Sequence, residues 1–584
     1  MLDLREKEIL TAQVINIEWD RIFLILDVEV DFLEDEIQNL EFFMVNGLYE
    51  VKGKFKVLEC NNNKYKIKIN ITNNGQNRCY PLGTYNIYVC KGEEFFGLCK
   101  IALNMADKLE KSSRNFLYAN RSKVYTVSFF VKDDVEDTIF EIYMMASAKC
   151  GMSFPKYGRF RKIFSNVPRE TKRYLKNEKI AYKKYYYSNR KNLKGKNSQK
   201  TILFMSEQSD TLGANLIAVK DRMIQRGMDK EYRILTSARP ASSVDQSRES
   251  WHALLKKIAE SDMILIDDHA PVFDWLEIDK DTKIIQLWHA GAGFKSSGYS
   301  RWGHKGCPSP QSCHRQYTYG IAGSKNIIPF FSEVWGLNDE QVIPTGMPRM
   351  DEFLNSDFRK KKTKELYEKF PMCKGKKVIL FAPTYRGKNR KEAYYPYNLI
   401  DFEKLYNICD NEYVVLFKMH PWVSAPVPIE EKYKDKFLDV GLYPNINDLF
   451  YITDLLITDY SSNIFEYSLM GNPMLFFAFD KVQYSFSRGF HRNYEESAPG
   501  KICYEFDDII KAIEEKDFEE EKVGKYVKHH FDYIDSHSSD RVIDWIILDN
   551  MPDDIRELLK EKEQENERMA QMDFVSIMNQ EKDI

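Results

Sequence analysis

From residue 200 onward the chain repeats one pattern, a short and nearly continuous apolar run followed by a helix-length segment. The runs are TILFMS (201–206), YRILTS (232–237), MILIDDH (263–269), KIIQLWH (283–289), TYGIAGS (318–324) and VIPTG (342–346), then VILFAPT (378–384), VVLFKMH (414–420), FLDVG (437–441), LLITDYS (455–461) and PMLFFAF (473–479). A strand apolar along its whole length must be covered on both faces, which in alternation with helices means parallel sheets. Two series of such runs, about 200–350 and 372–545, predict two Rossmann-like domains facing a cleft.

The first 150 residues read differently. TAQVINIEWD, RIFLILDVEV, KYKIKINIT, TYNIYVCKG, VYTVSFFVKD and TIFEIYMMAS alternate apolar and polar positions, and NNN, NNGQN and KDDVED turns separate them. Period-two alternation between turn signals predicts an all-β module. The expected organisation is a β-rich module over 1–150, a linker over 151–200, α/β domains over 201–350 and 351–550, and a charged helix over 551–584.

Charge excludes some functions and localises others. The 85 Lys and Arg nearly balance the 88 Asp and Glu, a net charge of -3, so no global field marks a nucleic-acid binder. Between 153 and 200, however, basic residues are opposed only by Glu170 and Glu178, and Phe and Tyr are interleaved with them. Basic residues gain about 1 kcal/mol each near an anionic lipid surface and aromatic rings settle at headgroup level. Arg159, Arg161, Lys162, Lys172, Arg173, Lys183 and Lys184 are therefore candidate membrane-docking residues, against the plainer reading of a solvated basic linker. The amino terminus has no signal-peptide pattern, no run reaches the roughly 18 apolar residues of a spanning helix, and the ten cysteines include no CxxC pair. A cytoplasmic protein, peripheral on the inner face of the cell membrane, is the expectation.

In doubly wound sheets ligands sit beyond the carboxyl ends of strands, and the chemistry-bearing residues fall there repeatedly. KIIQLWHAGAGFKSSGYSR places His289 at a strand end, followed by Gly291, Gly293, Lys295 and Arg301. An imidazole with an ordinary pKa near 6.5 accepts a hydroxyl proton at neutral pH, so His289 is a candidate general base. VILFAPTYRG ends in Thr384 and Arg386, VVLFKMHP in Lys418 and His420, and LLITDYSSN in Asp459, Ser461 and Ser462 ahead of a helix. Guanidinium, ammonium, hydroxyls and a helix start suit a diphosphate; taken singly, the serines are N-caps and Asp459 a turn residue. No HExxH element and no paired carboxylates of obvious spacing call for a metal or other cofactor, and Cys307, Cys313 and His314 read as incidental loop residues rather than a metal site.

WHAGAGFK (288–295), TGMPRMD (345–351), FAPTYRG (381–387), KMHP (418–421) and ITDYSSNIFEY (457–467) together resemble the CDP-glycerol glycerophosphotransferase family of teichoic acid synthesis, over about 200–545. QLWHAGAGFKSSGYSR, GHKGCP, YYPYNLIDFEKL, SAPGKI and SHSSDR are most similar to its poly(ribitol-phosphate) polymerase branch. The resemblance implies a GT-B type arrangement, with an acceptor side at 201–350 and a donor side at 351–550. It implies transfer of ribitol phosphate, or glycerol phosphate, from CDP-ribitol or CDP-glycerol to an undecaprenyl-linked polymer, with release of CMP. His289 matches the family's base and His420 a second essential histidine. Thr384, Arg386, Ser461 and Ser462 match the donor phosphate pocket, with Lys295, Arg301 and Arg349 as electrostatic contributors. An anionic membrane surface is the implied partner, nucleic acid is not, and a homo-oligomer is allowed. Two other readings use the same residues differently: a glycosyltransferase of the same architecture, with Glu466 gripping the sugar nucleotide, and a non-enzymatic membrane scaffold built on the β module and terminal helix.

Overall fold

The computed structural model describes residues 10–32, 39–46, 51–92, 94–102, 105, 108–118, 123–131, 139–148, 169–193, 199–240, 247–291, 294–303, 307–310, 312–387, 390–487 and 489–571. The first part is one sheet of eleven strands: β1 (Leu10–Asp20), β2 (Phe23–Phe32), β3 (Glu41–Asn46), β4 (Val51–Lys54), β5 (Lys56–Asn61), β6 (Lys64–Asn70), β7 (Gly83–Lys91), β8 (Glu94–Ile101), β9 (Arg114–Tyr118), β10 (Lys123–Val131) and β11 (Phe140–Ala148). Their order is β5-β6-β2-β1-β8-β7-β11-β10-β9, with β3 joining β7 to β4. Pairing is antiparallel except between β1 and β8. Alternation does what the sequence predicts, since β6 buries Tyr65, Ile67 and Ile69 and turns Lys64, Lys66 and Lys68 outward. All six expected strands are present; β3, β4, β5, β8 and β9 are additional.

Two parallel six-stranded sheets follow. The first consists of β12 (Lys200–Ser206), β13 (Tyr232–Ala238), β14 (Met263–Ile266), β15 (Lys283–Gln286), β16 (Tyr319–Ile321) and β17 (Val342–Ile343), ordered β13-β12-β14-β15-β16-β17. The second consists of β18 (Lys377–Phe381), β19 (Tyr413–Phe417), β20 (Phe437–Asp439), β21 (Leu455–Thr458), β22 (Met474–Phe477) and β23 (Lys501–Cys503), ordered β20-β19-β18-β21-β22-β23. Strand order reverses between β12 and β14 and between β18 and β21, and at such reversals the two flanking loops diverge and open a crevice. β14, β19 and β21 are buried at every residue, as strands covered on both faces must be.

Residues 169–193, expected as part of a linker, form a single helix, Arg169–Leu193. Tyr182 and Tyr186 are buried in the core of the first α/β unit, where Tyr182 stacks on Trp251 at 5.5 Å. Arg190 is buried as well, and its guanidinium donates to the carbonyls of Ala259 and Ser261 at 3.0 and 2.7 Å and to Thr282 Oγ1. Aromatic and basic residues at every third or fourth position thus serve packing as well as surface. Lys183 is half-buried and Lys184 exposed; Lys172 and Arg173 lie in the helix without described side chains, and Arg159, Arg161 and Lys162 lie outside the described residues. No helix among the described residues is long and apolar enough to cross a membrane.

The chain after the second sheet returns to the first unit. Asp351 accepts from the backbone N–H groups of Ser538 and Ser539 at 2.8 and 2.7 Å. Arg541 donates to the Thr345 carbonyl at 2.7 Å, and Arg222 and Arg226 pair with Asp540 and Asp544. The segment around 521–547 therefore packs on the 201–350 side, although it belongs by sequence to the 351–550 range. The charged terminal helix, Asp553–Gln571, buries Ile555 fully.

Candidate active site

β14 runs into Asp267, Asp268 and His269, and its neighbour β15 into Leu287, Trp288 and His289. Trp288 takes a left-handed backbone (φ +53°), held because Gln286 Oε1 accepts its N–H at 2.8 Å and Asn215 Nδ2 donates to the Leu287 and Trp288 carbonyls at 2.9 Å each. This kink lifts His289 out of the sheet, leaving its side chain 52% exposed. His289 Nδ1 lies 3.2 Å from the Asp267 carbonyl and 3.3 Å from Asp268 Oδ2. Both neighbours are acceptors, so Nδ1 carries the proton and Nε2 presents its lone pair outward. Burial raises the pKa of Asp267, whose Oδ2 accepts from Gly213 N at 2.8 Å. A Cβ at Gly213 would stand 2.4 Å from that oxygen, which fixes glycine at the turn.

The opposite sheet supplies a second histidine with the other proton arrangement. Trp422 N–H donates to His420 Nδ1 at 3.2 Å, which makes Nδ1 the acceptor and puts the ring proton on Nε2. Burial, with the charges of Lys295 and Lys418 added, holds His420 down to about 4. It is neutral at pH 7, a hydrogen-bond donor rather than a cation. Tyr385 and Trp422 pack against its ring at 4.7 and 5.5 Å. Lys418 is buried and donates to the Gly441 carbonyl at 2.6 Å, and burial lowers its pKa. A cavity of about 860 Å³ opens here, lined among others by Lys369, Lys418, His420, Gly441, Leu442 and Tyr443.

Thr384, Arg386 and Asp459 meet where the strand order of the second sheet reverses, and they meet each other. Asp459, fully buried, accepts from Thr384 N and Oγ1 at 2.8 and 3.1 Å and from Arg386 Nη1 at 2.9 Å. Arg386, 8% exposed, also pairs with Asp480 through Nε and Nη2, and Tyr460 Oη donates to Asp480 at 3.0 Å. Burial opposes the charge, but Asp459 and Asp480 outweigh it and keep the guanidinium protonated. Arg386 and Thr384 thus brace the two strand-end loops from below. Ser461 is buried, its Oγ accepting from Asn463 N at 3.3 Å, and Ser462 is half-buried beside it. The helix behind them, Ile464–Ser468, has only five residues, so its dipole is small.

The two sheets are joined at the site. Arg349 donates to the His289 carbonyl through Nη1 at 2.6 Å and to Glu466 through Nε at 2.9 Å and through Nη2, while its own N–H donates to Asn215 Oδ1 at 2.9 Å. Glu466, 4% exposed, is committed to that pair. A Cβ at Gly291 would stand 2.2 Å from the Phe465 ring, so the loop after His289 lies flat on the second unit. Lys295 pairs by backbone with Phe490 and its charge reaches His420. Arg301 sits apart, in the turn Gly298–Arg301, beside Cys307 and next to Trp302 on the β module.

Asp268, Asn215, Asp480 and the Arg349–Glu466 pair were missed by sequence reasoning. Asp268 alone left a signal, since it falls in the polar end of MILIDDH, the strand-end run before KIIQLWH. Cys307, Cys313 and His314 do not converge: Cys307 Sγ faces the Leu117 carbonyl and His314 Nδ1 the Tyr317 hydroxyl. Cys313 instead joins His269 and Asp274, their ligand atoms within 4.8 Å of one another. Burial pulls His269 down, but Asp274, at 3.0 Å, and Cys313 outweigh it and hold the ring protonated up to about 10.

Residues 187–548 match the family model described as CDP-glycerol:poly(glycerophosphate) glycerophosphotransferase. The chain is 35% identical over 427 residues to the teichoic acid ribitol-phosphate polymerase TarL of Staphylococcus aureus, covering 73% of this chain and 75% of that one. It is 36% identical over 423 residues to the ribitol-phosphate polymerase TarK of the same organism, covering 72% and 81%. A solved variant of the wall teichoic acid polymerase TagF shares the fold, with 23% identity and a TM-score of 0.50 over 69% of this chain and 100% of that one.

Proposed function

The chain belongs to the CDP-glycerol:poly(glycerophosphate) glycerophosphotransferase family, and on that premise we propose how it acts as a CDP-alditol alditolphosphotransferase of teichoic acid synthesis. The unit transferred is ribitol phosphate, which the ribitol-phosphate relatives support. The two α/β units form a GT-B type pair across a cleft, the 201–350 side taking a lipid-linked polymer acceptor and the 351–550 side the CDP-alditol. An acceptor hydroxyl attacks the β-phosphorus of the donor, the new O–P bond forms as the bond to CMP breaks, and CMP leaves.

One observation carries this reading: the two histidines hold opposite tautomers. His289, with Nε2 free of its proton, takes the proton of the attacking hydroxyl, and Asp268 stabilises the imidazolium that forms. His420, neutral with its proton on Nε2, donates to a phosphate oxygen of the donor, and Lys295 and Lys418 add positive charge nearby. Ser461 and Ser462 bind the phosphates, and Arg386, Thr384 and Asp459 hold the loops that carry them. Phosphoryl transfer needs positioning and charge more than covalent help. The glycosyltransferase alternative loses its carboxylate, because Glu466 is buried against Arg349.

The test is transfer of label from alditol-labelled CDP-ribitol to a lipid-extractable acceptor by the purified protein. Asp268→Asn should lower kcat by about 10- to 100-fold with little change in KM for the donor, since Asp268 acts on the imidazolium and not on the diphosphate. An unchanged kcat would remove Asp268 from the mechanism.

The helix Arg169–Leu193 turns Lys179, Ile180, Lys184, Tyr187 and Lys191 to solvent along one stripe. This stripe supports the reading of a peripheral protein on the cytoplasmic face of the membrane. Changing Lys179, Lys184 and Lys191 to Gln should weaken binding to anionic vesicles at low salt by about tenfold or more, and equal binding by the variant would refute the dock.

A further inference from the structure

The β module reaches the active site through a buried chain of polar groups. Arg21 sits at the tip of the β1–β2 hairpin, where Asp20 pairs with Phe23, in a left-handed conformation (φ +54°). From there its Nη2 lies 3.3 Å from both carboxylate oxygens of Glu333, on the helix Ile328–Trp335 of the first α/β unit. Glu333 Oε2 lies 2.7 Å from His491 Nε2, on a loop of the second unit. Glu333 and His491 are 5% and 3% exposed, and the His491 ring stacks on Phe330 at 4.1 Å.

The loop that carries His491 is tied by its main chain to the loop that carries Lys295. His491 N–H donates to the Phe294 carbonyl at 2.8 Å, and Ser296 N–H donates to the Gly489 carbonyl at 3.1 Å. Lys295 lies between these two bonds, paired with Phe490, and its charge acts on His420. Burial lowers the pKa of His491; Glu333 opposes this, and Arg21 and Arg492 add to it. The ring is therefore a neutral donor to Glu333, and Arg21 places a cation in direct contact with that buried carboxylate, to which Arg492 adds its charge. Without Arg21 the carboxylate that seats this loop through His491 loses the cation that ties it to the hairpin tip.

We infer that Arg21, Glu333 and His491 are positioning residues, through which the β module holds Lys295 against the donor diphosphate beside His420. The inference rests on the reading of Lys295 as a donor-site residue and adds a role for the first 150 residues. It makes the β module part of the catalytic architecture, since the hairpin tip and the donor-side loop are two ends of one hydrogen-bonded path.

A double-mutant cycle tests it on the full chain. Lys295→Gln should lower kcat/KM for the CDP-alditol about tenfold or more, as expected for loss of a charged contact. Arg21→Gln should lower it about fivefold, and Arg21→Lys should restore most of that loss. In the Lys295→Gln background, Arg21→Gln should change kcat/KM by less than about twofold, because its route to the donor is already cut. Additive losses would mean that Arg21 acts on stability alone and would overturn the positioning role, as would a full effect of Lys295→Gln with none from Arg21→Gln. No effect of Lys295→Gln would instead overturn the placement of Lys295 in the donor site.

Discussion

Replacing His289 with alanine is expected to slow CMP release by about 10²- to 10⁴-fold while leaving the affinity for the CDP-alditol within about twofold. His289 stands on the first sheet with Nδ1 against Asp267 and Asp268. In the proposed mechanism its part is to take a proton from the acceptor, while the diphosphate is held by the other sheet. Single-turnover CMP release and calorimetric titration with donor separate the two quantities. His420→Ala should behave differently, weakening donor binding as well as slowing release, because in the proposed mechanism its Nε2 proton goes to the donor in both ground and transition states. A His289 variant that lost donor affinity and kept its rate of release would reverse the two assignments.

Arg386→Met is expected to destabilise the protein by about 3–5 kcal/mol at neutral pH, the penalty for removing one member of a buried ion-pair set. Its guanidinium separates Asp459 and Asp480, and without it two carboxylates face each other in the core. Repulsion between the two like charges in a low-dielectric interior is then greatest when both are ionised. The destabilisation should accordingly be largest above about pH 6 and shrink as pH falls towards 4. Thermal unfolding across that range checks the sign. Equal melting temperatures for variant and parent, with a raised KM for donor, would make Arg386 a direct phosphate ligand instead of a brace.

The α/β part was legible because its strands are apolar throughout and end in polar residues, so runs such as VVLFKMH and LLITDYS showed both the strand and the polar loop that leaves it. β23 (KIC) has only Ile502 as an aliphatic residue between Lys501 and Cys503 and so makes no apolar run. In the β module β8 and β9 went unread, since EFFGLCKI and RNFLY carry weak alternation and little turn chemistry. The helix over 169–193 was hidden by its charge: lysines dominate the composition, and nothing in the sequence says that Tyr182, Tyr186 and Arg190 face inward. The pairing of Arg386 with Asp480 was hidden for a related reason. A guanidinium at a strand end suits a phosphate, but Asp480 lies 94 residues away and only the fold shows that it arrives first.

Long-range pairing explains the other omissions. Arg349 and Glu466 are separated by 117 residues and Arg21 and Glu333 by 312, spacings at which no local pattern operates. The role of the β module was unreadable for the same reason. Its contacts with the loop after His289, where Trp302 stacks on Tyr118 at 5.6 Å and Cys307 meets the Leu117 carbonyl, exist only in three dimensions.

The protein is expected to move an alditol phosphate from a cytidine diphosphate donor. The most direct measurement gives the purified chain a lipid-linked acceptor with CDP-ribitol, CDP-glycerol and a panel of nucleotide sugars in parallel, and identifies the nucleotide released. CMP is the expected product, released fastest from CDP-ribitol and lost in His289→Ala. Release of a nucleoside diphosphate from a nucleotide sugar, with no CMP from either alditol donor, would contradict it.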